Sequence, residues 1–292
     1  MKRVIVTPGG RKCYLEILLR YLLRAKKAGE FDRWILWVNT VNDGDIEYMM
    51  SLADQYDFIE ARPLTIPFDA NYSIHSFFAE CVDDDSVYVR LDDDIVFMEE
   101  GALDRLIRFR IDHPEYFLVI GNIVNNSILS YIHQRQGAIG RNFGTNAYSA
   151  LADLGWKRPA FAHLVHSEFL EQLQAGNVDR FRFSRWILHE FERVSINCIS
   201  WLGSEFKQFE GKVDRNEEPW LTAVKPMTLQ RPNCIFGEVL FAHYAFNTQR
   251  PELDWTDILQ RYAAIAPALP ETVELQLQPQ APMNKIRAAV NF

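Results

Sequence analysis

The chain of 292 residues is 48% hydrophobic, 13% aromatic and 24% charged, which excludes a disordered protein because a chain of this length and composition can bury a large apolar core. Lysine and arginine total 31 against 39 aspartates and glutamates, a net charge of −8, so no general positive field is available to hold a nucleic acid. The four cysteines form no C-x-x-C pair and are predicted to be buried thiols in a reducing compartment.

The first ninety residues alternate apolar runs with helical patterns. Strands are predicted at 4–7, 34–38, from 58 onward and at 86–91, and helices at 14–29, 46–53 and 74–81. Alternation of this kind implies crossover connections between parallel strands. We therefore expect an α/β fold with a mixed, mainly parallel sheet flanked by helices.

Beyond residue 100 the pattern is less regular. It predicts a helix at 101–110, strands at 116–120 and 238–246, a polar turn at 121–126 and a helix at 255–266. For residues 127–200 the sequence pattern does not predict how strands and helices are arranged. Glutamines among prolines after residue 270 indicate an extended strap or a loose tail.

Three aspartates directly follow the strand at 86–91. Side chains alternate along a strand, so Asp92 and Asp94 are expected on one face and Asp93 on the other. Two carboxylates this close repel each other unless a divalent cation lies between them, and oxygen ligands suit Mg²⁺ or Mn²⁺. Open α/β sheets bind ligands at the carboxyl ends of their strands, which favours a metal site here over a solvated acidic turn.

The apolar strand followed by these aspartates resembles a feature of the GT-A-fold glycosyltransferases, which transfer a sugar from a nucleoside diphosphate to an acceptor hydroxyl. The string Y-V-R-L-D-D-D-I-V at 88–96 is similar to their D-x-D metal motif, and E-E-P-W-L at 217–221 resembles the acidic motif of inverting members. Residues 237–250 are similar to late segments of bacterial polysaccharide and lipopolysaccharide enzymes. The resemblance implies a GT-A, Rossmann-like fold, although the third aspartate leaves the roles of Asp92 and Asp93 open.

The resemblance also implies a set of site residues. Those expected to bind the nucleotide-sugar are Thr7, Pro8, Gly9, Arg11, Asn39, Asp43, Arg90, Asp92 and Asp93. The metal, Mn²⁺ or Mg²⁺, is expected on Asp92, Asp94 and His243. For the loop residues ordinary turn chemistry stays an alternative, and for His243 so does a half-buried histidine bonded to a carbonyl.

A general base is predicted at Glu218, with Glu217 as second choice. Pro219 suits the first position of a helix, which would make Glu218 its cap, and the helix dipole would then keep that carboxylate ionised. Glu217, one position earlier, is expected to face solvent. The alternative is an acidic helix start without chemistry.

The leading hypothesis is thus an inverting, metal-dependent glycosyltransferase, with a UDP-sugar favoured as donor and a glycan or lipid-linked glycan as acceptor. Its predicted parts are a donor half at 1–125, an acceptor half at 126–250, and a C-terminal helix with a strap or tail at 251–292. One alternative is a sugar nucleotidyltransferase, since the loop at 8–12 partly meets the need for a glycine-rich basic loop. Another is a non-catalytic nucleotide- or sugar-binding protein.

No apolar run reaches the ~18 residues that a spanning helix needs, and the first apolar run is too short for a signal-peptide core. The sequence therefore predicts a cytoplasmic protein, with peripheral attachment to a membrane left open.

Overall fold

Nine strands form one sheet within residues 1–269, the part of the chain that the computed structural model describes. The strands are β1 (Lys2–Gly9), β2 (Arg33–Val38), β3 (Ile59–Pro63), β4 (Ser86–Leu91), β5 (Ile95–Met98), β6 (Val119–Val124), β7 (Arg185–Leu188), β8 (Cys198–Leu202) and β9 (Asn233–His243). They lie in the order β3-β2-β1-β4-β8-β6-β9-β5, and β7 also pairs with β9.

Helices fill the connections between these strands. The α-helices are α1 (Lys12–Lys27), α2 (Asp43–Gln55), α3 (Ala102–Asp112), α4 (Ser127–Arg135), α5 (Pro159–Gln174), α6 (Gly203–Lys207), α7 (Glu217–Pro219), α8 (Lys225–Leu229), α9 (Arg250–Leu253) and α10 (Ile258–Ile265). Two 3₁₀-helices, Ile74–Glu80 and Val178–Phe181, and two π-helical turns, Asp153–Lys157 and Trp220–Val224, complete the helical segments of the described residues.

The N-terminal part of the sheet is parallel. β1 pairs with β2 and β4, and β2 pairs with β3, each in parallel register. The order β3-β2-β1-β4 is that of doubly wound nucleotide-binding sheets. Trp34 and Trp37 of β2 are completely buried, as expected for a continuous apolar strand that is covered on both faces.

Helix α1 shows how directly local sequence specifies this part of the fold. Tyr14, Leu15 and Leu18 face the core at helical spacing, together with further residues on the same side. Basic residues in its last turn complement the helix dipole. Gly29 follows at φ 72°, the left-handed conformation in which helices commonly end.

In the rest of the sheet, β5 to β9, parallel and antiparallel pairings are mixed. β8 lies antiparallel between β4 and β6, β9 runs parallel to β6, and β5 and β7 pair antiparallel with β9. Because β8 runs opposite to β4, the residues before β8 lie beside those after β4: the amide of Asp92 donates to the carbonyl of Asn197 at 2.9 Å. One edge of the sheet therefore collects polar residues from several parts of the chain.

The predicted fold class, an α/β architecture with a mixed, mainly parallel sheet and flanking helices, is confirmed. The polar turn predicted at 121–126 is wrong in its first part, since β6 continues to Val124. Asn122 fits a buried strand because its amide donates to the carbonyls of Phe181 and Gly237 at 2.8 and 3.0 Å.

The C-terminal helix predicted at 255–266 corresponds to α10, and the predicted strap after residue 270 lies outside the described residues. The sheet passes through both predicted halves, 1–125 and 126–250; their assignment to donor and acceptor stays a prediction. Within residues 1–269 no helix has the length and apolarity needed to cross a membrane.

Candidate active site

Asp92, Asp94 and His243 bring one ligand atom each to within 4.8 Å of one another. The two aspartates follow β4, and His243 is the last residue of β9, where it stands opposite Ile95 in the antiparallel pairing with β5. Two ligands of one small divalent cation lie at most ~4.2 Å apart. Only a slight closure would therefore bring the three groups around an ion.

The two oxygens of Asp94 have different surroundings. Oδ2 accepts a hydrogen bond from Arg250 at 2.6 Å and lies 3.2 Å from a guanidinium nitrogen of Arg11. Oδ1 lies 3.4 Å from Nε2 of His243 and accepts no hydrogen bond from residues 1–269. Burial opposes ionisation, but Arg11, His243 and Arg250 outweigh it and hold the pKa of Asp94 well below its usual value.

The ring of His243 is oriented for cation binding through Nε2, since its other nitrogen, Nδ1, lies 3.3 Å from the carbonyl of Asn125. Burial would lower its pKa, but the neighbouring Asp94 outweighs burial and raises it. A metal ligand must be a neutral imidazole, so binding of a cation here would release a proton. Two carboxylates and one imidazole, with a buried carboxylate oxygen that lacks a partner, form a donor set that fits a divalent cation.

Asp92 is held on both oxygens. Arg90 donates two hydrogen bonds to Oδ1, at 2.9 and 3.2 Å, and the side-chain amide of Asn197 donates to Oδ2 at 2.9 Å. Arg90 is 4% exposed and also donates to Glu217 at 2.6 Å. One buried guanidinium thus fixes a carboxylate of the cluster with His243 and a carboxylate of the acidic motif.

Asp93 is directed away from the cluster, toward the loop between β1 and α1. It accepts a hydrogen bond from the backbone amide of Gly10 at 3.0 Å, and Arg11 donates to both of its oxygens. The middle aspartate thereby ties this loop to the motif. The sequence left the roles of Asp92 and Asp93 open. In the structure Asp92 lies in the cluster with His243, and Asp93 does not.

The acidic motif differs from the prediction in its helix position. Helix α7 begins at Glu217 with Asn216 as its cap, so Glu218 is not the cap and Pro219 is not the first residue. Glu217 does not face solvent: it is buried against Arg90, and its Oε2 finds no hydrogen-bond partner in residues 1–269.

Glu218 receives a 2.6 Å hydrogen bond from Arg193. Burial raises its pKa although Arg193 works in the opposite direction, so the expected lowering by the helix dipole does not prevail. A carboxylate with a raised pKa is a stronger base, which keeps the predicted role chemically reasonable.

Three of the predicted nucleotide-binding residues are buried within the sheet. Thr7, Pro8 and Gly9 are buried in β1, where the hydroxyl of Thr7 accepts a 3.0 Å hydrogen bond from Trp34. Their contribution to a ligand site stays a prediction.

Asn39, after β2, bridges to the next loop: it donates to the carbonyl of Ala70 and accepts from Ser73, both at 3.0 Å. Asp43 is exposed at the first turn of α2, and none of the hydrogen bonds and ion pairs among residues 1–269 joins it to the cluster. Both assignments to the nucleotide stay predictions.

Sequence reasoning missed three groups that the fold brings to this edge: Asn197 on Asp92, Arg193 on Glu218 and Arg250 on Asp94. The first two lie in the segment before β8, a strand that the sequence pattern does not reveal. Arg250 lies in the segment 237–250 whose resemblance was noted, but nothing in the sequence links it to Asp94.

Comparisons with known proteins give limited information. No protein-family model matches this chain, and no curated protein does. A solved structure of CMP:2-keto-3-deoxy-manno-octonic acid synthetase complexed with CTP is similar, with a TM-score of 0.44, 8% identity, and coverage of 83% of this chain and 90% of that one.

That synthetase is a nucleotidyltransferase, so the comparison contradicts the predictions of a glycosyltransferase function and of that enzyme class, and it agrees better with the stated alternative, a sugar nucleotidyltransferase. At this TM-score and identity the likeness carries no chemistry over to this chain, whose own residues have to supply it.

Proposed function

We propose that this protein is a metal-dependent sugar nucleotidyltransferase, which joins a nucleoside monophosphate from a nucleoside triphosphate to a sugar and releases pyrophosphate. The observation that carries the proposal is the convergence of Asp92, Asp94 and His243 with two arginines at the carboxyl ends of β4 and β9. Acids for a cation beside cations for phosphate suit a substrate that arrives as a metal–polyphosphate complex.

Arg11 and Arg250 are the groups that would bind the phosphates. Both contact Asp94, and both guanidinium groups lie over the ring of Tyr14, at 5.2 and 5.5 Å from its centroid. Tyr14 thus holds the two cations side by side. Neutralisation of Asp94 by a bound cation would free Arg250 to donate hydrogen bonds to phosphate oxygens. Arg11 stays hydrogen-bonded to Asp93 and would offer phosphate its remaining N–H groups.

Glu218 would accept the proton of the attacking sugar hydroxyl. As the sugar oxygen bonds to the α-phosphorus, the bond from that phosphorus to the β-phosphate oxygen breaks, pyrophosphate leaves, and the hydroxyl proton passes to the carboxylate. The raised pKa of Glu218 suits it to this step, and Arg193 orients its carboxyl group. Arg90 and Asn197 keep Asp92 in place and perform no proton transfer.

The cation would be held by Asp92, Asp94 and His243, and it would supply neutralisation of phosphate charge. Mn²⁺ is favoured over Mg²⁺ because an imidazole nitrogen in the donor set suits Mn²⁺ better. The sugar, the base of the nucleotide and any further acceptor are not specified by these residues.

The test is release of pyrophosphate from each of the four common nucleoside triphosphates, with Mn²⁺ and a panel of free sugars, sugar acids and sugar 1-phosphates. We expect sugar-dependent release that stops with a chelator and in an Asp94→Asn variant. Arg108→Met, a change at the exposed arginine of an ion pair with Asp104, serves as the matched surface control. Nucleotide binding without pyrophosphate release under any of these conditions would instead identify a non-catalytic binding protein.

A further inference from the structure

Asp254 lies beside the candidate active site, and the proposed chemistry does not use it. It is the residue after α9, and its Oδ1 accepts hydrogen bonds from the hydroxyl groups of Tyr14 and Tyr244, at 3.3 and 3.0 Å. Among residues 1–269 these two hydroxyls have no other hydrogen-bond partner. One carboxylate oxygen thus receives both phenol groups.

The two tyrosine rings are packed against each other inside the protein. Their centroids are 5.2 Å apart, Tyr14 is 4% exposed, and Tyr244 is fully buried. Tyr14 belongs to α1, whereas Tyr244 directly follows His243 at the end of β9. The backbone amide of Tyr244 donates to the carbonyl of Asp94 at 2.9 Å. The tyrosine pair therefore connects α1 to the candidate metal ligands.

The ring of Tyr14 is also the surface on which the two arginines of the site lie. The guanidinium groups of Arg11 and Arg250 are 5.2 and 5.5 Å from its centroid. Since a cation–π contact depends on where the ring face lies, a shift of this ring would displace both guanidiniums. Asp254 holds the hydroxyl end of the ring, and among the described residues it forms no ion pair with either arginine.

Arg250 and Asp254 lie one turn apart in the same short helical segment, where the amide of Asp254 donates to the carbonyl of Arg250 at 3.0 Å. This segment meets Tyr14 at two points, with a guanidinium over the ring and a carboxylate at the hydroxyl. Contacts at two ends of one ring fix both its position and its orientation. Supporting hydrogen bonds of this kind keep the groups that contact a ligand in place.

We propose that Asp254 is a positioning residue for phosphate binding. By holding the hydroxyls of Tyr14 and Tyr244, it fixes the ring that aligns the two arginines. This inference rests on the proposed function, in which those arginines bind phosphate. A role in charge balance alone predicts the opposite effect, because loss of an acidic group beside an anion site strengthens anion binding. The sign of the change in affinity therefore distinguishes the two roles.

The experiment is calorimetric titration of inorganic tripolyphosphate into the full chain at one fixed concentration of Mn²⁺. We expect the wild type to bind, and Asp254→Ala to bind at least about tenfold more weakly. Asp254→Asn keeps an acceptor oxygen for the two hydroxyls, so its affinity should lie within about threefold of the wild type. Glu252→Ala is the matched control, because it removes the same charge from an exposed residue of α9; it should bind at least as tightly as the wild type.

Tyr14→Phe tests whether Asp254 acts through the tyrosine. It should weaken binding at least about threefold in the wild type and cause no further loss in Asp254→Ala, where the hydrogen bond is already absent. Asp254 is exposed, so its replacement leaves the core intact. If Asp254→Ala nevertheless fails to fold by circular dichroism, Tyr14→Phe with Tyr244→Phe takes its place, since this double variant removes both hydroxyls and keeps both rings.

Equal or tighter binding by Asp254→Ala would overturn the positioning role while leaving the proposed function intact. An equal loss in Glu252→Ala, additive losses in Asp254→Ala with Tyr14→Phe, or failure of Asp254→Asn to restore affinity would overturn it as well. If the wild type itself does not bind tripolyphosphate, the phosphate role of the two arginines is wrong, and the positioning role falls with it.

Discussion

Replacement of Arg90 by methionine should destabilise the fold strongly, because this one side chain neutralises two carboxylates. Arg90 is 4% exposed and donates to Asp92 and to Glu217, which is itself 7% exposed. Methionine fills a similar volume without charge. The variant would leave Glu217 buried with no cation beside it.

The expected loss of stability in Arg90→Met follows from the burial of the ion pair between Arg90 and Glu217. Loss of one partner of a buried ion pair typically costs about 3–5 kcal/mol, because the other charge stays desolvated. For a chain of this size each kcal/mol shifts Tm by roughly 2–4 °C, so Tm should fall by about 6–20 °C. Arg108→Met supplies the contrast: its pair with Asp104 is exposed on the arginine side and should be worth less than about 1 kcal/mol.

The assay is denaturant unfolding with thermal scans of the wild type, Arg90→Met, Arg108→Met, and the double variant Arg90→Met with Glu217→Gln. We expect the double variant to be more stable than Arg90→Met alone, since it removes the stranded charge. If Arg90→Met loses no more stability than Arg108→Met, the two carboxylates are solvated in the native protein and the buried network described above is incorrect.

Other variants test separate parts of the structure. Pyrophosphate release should fall as the pH drops through the pKa of Glu218, which burial raises above its ordinary value, because the base is then protonated. Glu218→Gln should be at least about a hundredfold slower and lack this acidic limb in its pH–rate profile. Titration calorimetry of His243→Ala should show Mn²⁺ affinity reduced at least tenfold, about 1.4 kcal/mol, and an unchanged titration would remove His243 from the metal set. Gly211→Ala should cost about 1–3 kcal/mol, since its Cβ would lie 2.4 Å from the carbonyl oxygen of Phe78, whereas Gly29→Ala, also at positive φ but in open space, should cost less in the same unfolding assay.

Local sequence was sufficient for the first part of the fold. The leucine spacing of α1 and the apolar run of β2 are strong periodic signals, and the elements they predict are present. The topology of residues 127–200 could not be predicted, because β7 and β8 are short and their pairing with β9 and β4 joins residues far apart in sequence. No local pattern encodes such partners.

The sequence predicted that Asp92 and Asp94 act together, but strand alternation is not the reason. β4 ends at Leu91, and the two carboxylates lie in a turn that is closed by a 3.2 Å hydrogen bond from the backbone amide of Ile95 to the carbonyl of Asp92. His243 was found through resemblance. Arg90, on the same strand, was assigned to the nucleotide, whereas its hydrogen bonds go to Asp92 and Glu217. Charge partners of this kind are set by tertiary packing, which explains why Asn197 and Arg193 also escaped detection.

The most direct test of a metal-dependent nucleotide site is calorimetric titration of the four nucleoside triphosphates into the wild type and Asp94→Asn, each with Mn²⁺ and with a chelator. We expect at least one nucleotide to bind the wild type only when Mn²⁺ is present, and we expect Asp94→Asn to show no Mn²⁺-dependent binding while its circular dichroism matches that of the wild type. Equal nucleotide affinity with and without Mn²⁺, or undiminished Mn²⁺-dependent binding by Asp94→Asn, would contradict the assignment of this cluster.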